Sequence, residues 1–183
     1  TCTGVSFSHG SNDGQKGVGL IMLIMIAVVP SYFAIDHTKD LADYRNNLTE
    51  VNTLFHRVDA ASLSKADSFE YAKINSLVSD LNTKIGTSAS FADFSGPDQI
   101  AMRKDIIVIG KSTKKLLESE DFTMSEKDKK LLKTHVGEMK SLTEYAPMWV
   151  IVMIAISLGL GTMVGWKRIV KTIGEKIGKQ HLT

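Results

Sequence analysis

Two uncharged apolar blocks, Val18–Ile35 and Ala146–Gly165, bracket a stretch in which charge is dense. That segregation constrains the fold more than any other feature. Blocks of about 18 to 20 uncharged residues, each rising ~1.5 Å, reach across a ~30 Å hydrocarbon core. A soluble core helix would show a polar face every turn, and neither block does. Both read as transmembrane helices, the first kinked or broken at Pro30, which lacks a backbone donor. The mean hydropathy of the whole chain is near zero, an average that conceals these two regimes.

Charge suggests an orientation. From Asp36 to Tyr145 there are 16 Lys and Arg against 18 Asp and Glu, whereas Lys167, Arg168, Lys171, Lys176 and Lys179 face only Glu175 in the tail. Basic residues clustered within about 15–20 residues of a membrane exit favour the cytoplasmic side. The tail is expected inside and the intervening insert outside. The chain opens Thr1-Cys2 with no basic leader and no small-residue cleavage site, a pattern expected of a segment from a longer polytopic protein rather than a signal peptide. Cys2 stands alone and can form no intramolecular disulfide.

The insert reads as four helices. Leu41, Tyr44, Leu48, Val51, Phe55 and Val58 recur at spacings of three and four, as do Tyr71, Ile74, Val78, Leu81 and Ile85. A linker from Gly86 to Pro97 precedes a third helix, expected to start near Asp98 with a weaker stripe of Ile100, Ile107, Gly110 and Leu117. The fourth is expected to open on a capping box at Thr123-x-x-Glu126, with Leu132, Val136, Met139 and Leu142 along its apolar face. About 110 residues suffice for a small four-helix bundle. Beyond the second block, Trp166-Lys167-Arg168 reads as an interface anchor followed by an amphipathic helix on the membrane surface.

Chemistry concentrates before the first block, in Ser8-His9-Gly10-Ser11-Asn12-Asp13-Gly14-Gln15-Lys16-Gly17. This stretch reads as irregular backbone or a broken helix, tolerated at membrane depth only where protein or a watery cavity satisfies it. Ionisable groups entering a span are costly and are usually kept for a pathway or a site. If helical, it places His9 and Asp13 four apart on one face, and Asn12 and Lys16 likewise. Asp13 could hold a cation or a proton, while Ser8, Ser11, Asn12 and free amides at a helix N-terminus could bind an oxyanion. The same residue types also suit an ordinary loop capped by Asp13, and spacing alone leaves both readings open. His37, His56 and His135 make no metal cluster. Ser157, Gly161 and Gly165 form a small-residue face that would let another helix approach. Asn47-Leu48-Thr49 fits a glycosylation sequon but lies on an apolar stripe, so no sugar is expected.

The run from Phe7 to Gly17 resembles the second-repeat signature of the Pit family of inorganic phosphate transporters, in the bacterial low-affinity branch where Gly-Gln-Lys follows the Asp. A second match runs from Tyr145-Ala146-Pro147 through Leu158-Gly159-Leu160-Gly161-Thr162-Met163-Val164-Gly165-Trp166-Lys167-Arg168 to Thr172–Gly178. The resemblance implies an all-α protein of two inverted repeats, each giving an Asn-Asp motif and a Ser/Thr-rich hairpin to a central site. Asn12 and Asp13 match the binding pair, and Ser11 stands where the general motif has Ala. Gln15 and Lys16 replace Ala-Asn, a departure that favours protons over sodium as the coupling ion.

These readings combine into one expectation. The chain is an all-α segment of a polytopic membrane protein: a broken-helix substrate motif at 1–17, a transmembrane helix at 18–35, an extracytoplasmic four-helix insert at 36–145, a second transmembrane helix at 146–166 and a basic cytoplasmic helix at 167–183. It is expected to serve cation-coupled phosphate transport across the inner membrane, with Ser8, Ser11, Asn12 and Asp13 on the substrate. Asp13, His9, Gln15 and Lys16 are expected at the coupling ion or orienting the site. No catalysis, cofactor, metal site or nucleic acid is expected; the partners are phosphate, free or as a metal complex, a proton or sodium, the lipid bilayer and a second copy of the protein. The competing reading is a membrane sensor or chemoreceptor module with an external helical bundle, which explains the insert well but leaves Asn12 and Asp13 without a role.

Overall fold

A serine followed three residues later by an aspartate recurs at Ser64/Asp67, Ser90/Asp93, Ser95/Asp98 and Ser125/Asp128, and each pair opens a helical segment in the computed structural model. Serine Oγ accepts from the aspartate amide at 3.3 Å from Ser64, 3.4 Å from Ser95 and 3.1 Å from Ser125. In the Ser90/Asp93 pair, the Asp93 carboxylate accepts from the Ser90 amide at 3.0 Å. Each bond satisfies a donor that a helix start otherwise leaves open.

The structure describes residues 2–60 and 63–177, the side chains of 2, 3, 5, 6, 166–170 and 172–177 excepted. Its described regular elements are all helical: α1 (Cys2–Val28), α2 (Pro30–Phe33), α3 (Leu41–His56), α4 (Lys65–Ile85), a 3-10 turn (Phe91–Asp93), α5 (Gly96–Leu117), α6 (Glu126–Ser141) and α7 (Met148–Ile177). The all-α expectation is met. The chain divides into two compact units, Thr1–Ile24 with Ala146–Thr183, and Met25–Tyr145. The interface anchor and surface helix expected over 166–183 fall largely outside the described side chains.

In the Met25–Tyr145 unit, α3 packs on α6 and α4 on α5, and the α3–α4 and α5–α6 contacts close the bundle. The expected stripes of α3, α4 and α6 are the ones buried: Leu48, Val51, Phe55, Ile74, Leu81, Ile85, Leu132 and Met139 are each at most 1% exposed. Fully burying one such side chain contributes about 1.5–3 kcal/mol. In α5 the buried face is Gln99, Met102, Ile106, Ile109, Thr113 and Leu116, one position out of step with the expected stripe, and Ile100 is exposed. The run Ile106-Ile107-Val108-Ile109 supports either register by itself; Met102 and Leu116 decide it. The α6 cap also moves, from Thr123 to Ser125, because Ser125 has Asp128 in place to complete the pair. Gly86 ends α4 at φ +44°, a left-handed conformation that glycine adopts cheaply.

Pro30 acts as its ring requires. The α1 helix stops at Val28, a new short helix starts at Pro30, and Ala34 and Ile35 then turn into the bundle core. The block expected as one span over 18–35 is therefore two pieces. Around this corner Arg103 Nη1 donates to Ala34 O at 3.0 Å, the Asp36 amide to Leu142 O at 3.0 Å, and the Tyr145 hydroxyl to Tyr32 O at 3.0 Å. Burial pushes the Tyr145 phenol up, aided by Asp36. The sequon asparagine meets His135 Nδ1 through its Oδ1 at 2.8 Å beside fully buried Leu48.

Polar groups inside the bundle are mostly paired. Glu70 accepts from Ser112 Oγ at 2.7 Å and Lys115 Nζ at 2.8 Å. The hydrogen bond from Lys115, then that from Ser112, holds its carboxyl below the ordinary value. A depressed folded pKa stabilises above the carboxylate range, and the contribution is lost as pH falls through the folded value. Glu70→Gln should therefore lower the melting temperature at neutral pH, by the equivalent of about 1 kcal/mol, with the gap to wild type closing as the pH falls through and below the ordinary carboxylate range. Thermal unfolding of the whole chain in detergent across that range reads it; a gap unchanged by pH would contradict the pairing. Among the described residues three atoms break the pattern. Tyr44 Oη, Asn75 Oδ1 and Thr113 Oγ1 are buried without a partner, each an arrangement that costs about 1–3 kcal/mol.

Candidate functional site

Irregular backbone or a broken helix was expected over residues 1–17; the described part of that stretch, from Cys2 on, is continuous helix. The polar run of α1 contains no proline, and a regular helix is the one conformation that satisfies every backbone donor locally when water is absent. Glycine costs about 1 kcal/mol in a helix interior, which is less than an unsatisfied amide in lipid. One consequence is chemical: no helix N-terminus lies at Asn12 or Asp13, so the free-amide anion site expected there is absent.

The α1 and α7 helices run antiparallel within their unit. A Cβ placed at Gly14 would sit 3.9 Å from Leu158 Cδ1, and one at Gly17 would sit 3.1 Å from Ile154 Cγ2. Gly10, Gly14 and Gly17 follow each other at spacings of four and three on one face of α1; Gly14 and Gly17 leave room for the Leu158 and Ile154 side chains of α7, whereas a Cβ at Gly10 meets nothing within 4 Å. Sequence reasoning took these glycines as a sign of irregular chain; their helical spacing was the signal missed. The small face expected on α7 behaves differently, because a Cβ at Gly161 or Gly165 meets nothing within 4 Å.

Between the two helices lies a groove of about 1140 Å³. From α1 it takes His9, Ser11, Asp13 and Gln15 of the expected site residues, and from α7 it takes Leu158, Gly159 and Thr162, which sequence reasoning had not placed in a site. Ser8, Asn12 and Lys16 do not line it. At about 100° per residue, Asn12 lies some 200° round α1 from Gly14, on the opposite face, with Ser8 and Lys16 one turn either side. The helix thus separates the matched pair: Asp13 sits at the groove, Asn12 on an exposed polar face. Lys16, on the Asn12 face, reaches Asp13, its Nζ 3.8 Å from Asp13 Oδ1, with both side chains largely exposed. The α7 hydroxyls donate within their own helix, Ser157 Oγ to Met153 O at 2.8 Å and Thr162 Oγ1 to Gly159 O at 2.9 Å. Such back-bonding leaves hydroxyl lone pairs as acceptors and removes the donor from the groove. Among the described residues no group of three or more His, Cys, Asp and Glu could hold a metal ion.

The outer surface of this unit is apolar. Met148–Gly165 has a mean hydropathy of 2.1 and is the one described helix long and apolar enough to cross a membrane. Ile151, Val152, Met153, Ile156, Leu160 and Val164 are exposed along it, and Leu20, Leu23 and Val28 along α1. Apolar area of this extent belongs against lipid or other helices.

The sequence pattern that defines the phosphate transporter family matches residues 1–183. The chain belongs to the phosphate transporter family. Members are transporters of the membrane, not enzymes. The chain is 37% identical to the low-affinity inorganic phosphate transporter of Buchnera aphidicola subsp. Acyrthosiphon pisum, the match covering 98% of the chain and 39% of the relative. It is 33% identical to the low-affinity inorganic phosphate transporter PitA of Escherichia coli K12, over 98% of the chain and 40% of that protein, and 32% identical to PitB of the same strain, over 100% and 41%. The chain thus spans about two fifths of the length of these relatives. No solved structure matches it. Membership across the whole chain leaves the sensor alternative without support.

Proposed function

We propose that this chain forms part of a secondary transporter that carries inorganic phosphate across the inner membrane, and that the polar face of α1 supplies half of the substrate site. The observation that carries the reading is the arrangement of Ser8, Asn12 and Lys16 on one exposed helical face, with Asp13 paired to Lys16 at its edge. Two hydrogen-bonding side chains and a cation in line suit an oxyanion, with Lys16 acting as a point charge. Polar faces of this kind at membrane depth turn toward the protein interior or a watery cavity, which requires further helices of the transporter to complete the pocket.

Asp13 has a different task. A carboxylate 3.8 Å from the same ammonium that attracts phosphate competes with the substrate for that charge. Protonation of Asp13, or a cation held there, releases Lys16 to the phosphate and lowers the repulsion. Anion and proton would then enter together, which couples transport to the proton gradient without any covalent step. His9, four residues before Asp13 and lining the same groove, is placed to orient that carboxyl or relay the proton. In this arrangement α1 and α7 both span the bilayer, the Asp36–Tyr145 bundle lies outside and the basic tail inside.

The Asn12→Asp variant of the parent transporter tests the substrate face. A second carboxylate one turn from Lys16 should repel phosphate and cut uptake of labelled phosphate into membrane vesicles about tenfold or more. Uptake at the wild-type rate, with the protein inserted in wild-type amount, would remove Asn12 from the site.

A further inference from the structure

Along α3 and α4 the bundle surface carries an open depression of about 530 Å³ whose lining residues are all polar: Asn52 and Asn75 are half-buried, and His56, Ser79, Asn82 and Thr83 are exposed. A volume in the range of about 300–1,000 Å³ is that of a small-molecule site. We propose that this depression binds a neutral polyhydroxylated ligand, a polyol or sugar. The inference rests on the bundle alone and is independent of the transport reading.

The residue types select the ligand. Three carboxamides and the Ser79 hydroxyl each offer a donor and an acceptor, Thr83 offers an acceptor, and no formal charge is fixed in the described lining. Vicinal hydroxyl groups also donate and accept at once, so a polyol can pair with every one of these side chains. A phosphate or carboxylate could use only the donors, and would enter a pocket without an Arg or Lys to neutralise it. The Thr83 hydroxyl donates to Ser79 O at 3.0 Å, which turns its remaining lone pairs, and not its proton, toward a ligand.

Asn75 separates a binding role from a packing role. Its Oδ1 is buried with no partner, although α4 follows an apolar stripe on its core side. An apolar side chain at this position would leave no polar atom orphaned, so packing alone gives no reason for an amide here. A ligand that reorders the carboxamide and supplies a hydroxyl would give one.

The test uses the whole chain in detergent micelles, with side-chain amide resonances read by two-dimensional nitrogen–proton NMR. Glycerol, myo-inositol and maltose are added at about 10 mM, tenfold above a millimolar Kd, with inorganic phosphate as the charged comparator. At least one polyol should shift the Asn52, Asn75 and Asn82 amide signals saturably, and phosphate should leave them in place. Asn75→Leu should abolish the shifts at Asn52 and Asn82 while the melting temperature stays level or rises. The proposal is overturned if no polyol moves these signals, if phosphate moves them as far, or if the shifts survive in Asn75→Leu. Should that variant unfold, Asn82→Ala on the exposed side of the pocket replaces it, with the same expected loss.

Discussion

In the parent transporter, Asp13→Asn should lower phosphate uptake about a hundredfold or more, with insertion into the membrane unchanged. The substitution is nearly isosteric and keeps α1 helical, so a fall in rate reports charge and not shape. Asn can neither take up a proton nor hold a cation, and it frees Lys16 permanently. Phosphate could then still meet Lys16, yet would have no titrating partner to travel with. The account therefore expects a split result: transport lost and phosphate binding retained or strengthened. A variant that transports at the wild-type rate would exclude Asp13 from coupling, and loss of binding along with transport would make it a substrate ligand instead. Its distance of 3.8 Å from Lys16 and its place at the groove are the grounds for expecting the split.

The second large effect is expected at Gly17. A Cβ there already comes within 3.1 Å of Ile154 Cγ2, tighter than ordinary van der Waals contact, so Gly17→Leu must push α1 and α7 apart. Overpacking of this kind costs about 1–3 kcal/mol, and a displacement near 1 Å can cost a binding site about a hundredfold in activity. Uptake should fall by roughly tenfold to a hundredfold. The cause is checked by Gly17→Leu combined with Ile154→Ala, which vacates the space that the leucine needs. Recovery of most of the lost uptake in the double variant, beyond what Ile154→Ala does alone, marks the two positions as coupled. Gly161→Leu serves as the contrast, since a Cβ at Gly161 meets nothing within 4 Å of it in this unit.

How much of this could be read from residues alone differs between the two units. The bundle stripes of α3, α4 and α6 were legible because each has one apolar series at spacings of three and four and no rival. The α5 register was not, since four consecutive apolar residues offer two faces and the choice falls to Met102, one turn before them, and Leu116, two turns after. The candidate site was legible in its membership and not in its geometry. Asn12 and Asp13 stand out by chemistry, but their neighbours were taken to break the helix. Glycine is costly to a helix in water and cheap beside another helix in lipid, so the propensity learned from one solvent misleads in the other. Adjacent residues on a helix point about 100° apart, and this alone separates Asn12 from the groove that Asp13 lines.

Substrate protection at Ser8 tests the central claim most directly. Ser8 lies one turn from Asn12 on the same face, and Ser8→Cys adds little volume, so in a parent transporter stripped of its native cysteines a small maleimide can report access to that face. Millimolar phosphate should slow labelling several-fold, and Asn12→Asp should remove the protection while leaving the labelling rate without phosphate unchanged. Labelling that proceeds equally fast with and without phosphate would contradict the assignment of this α1 face to the substrate.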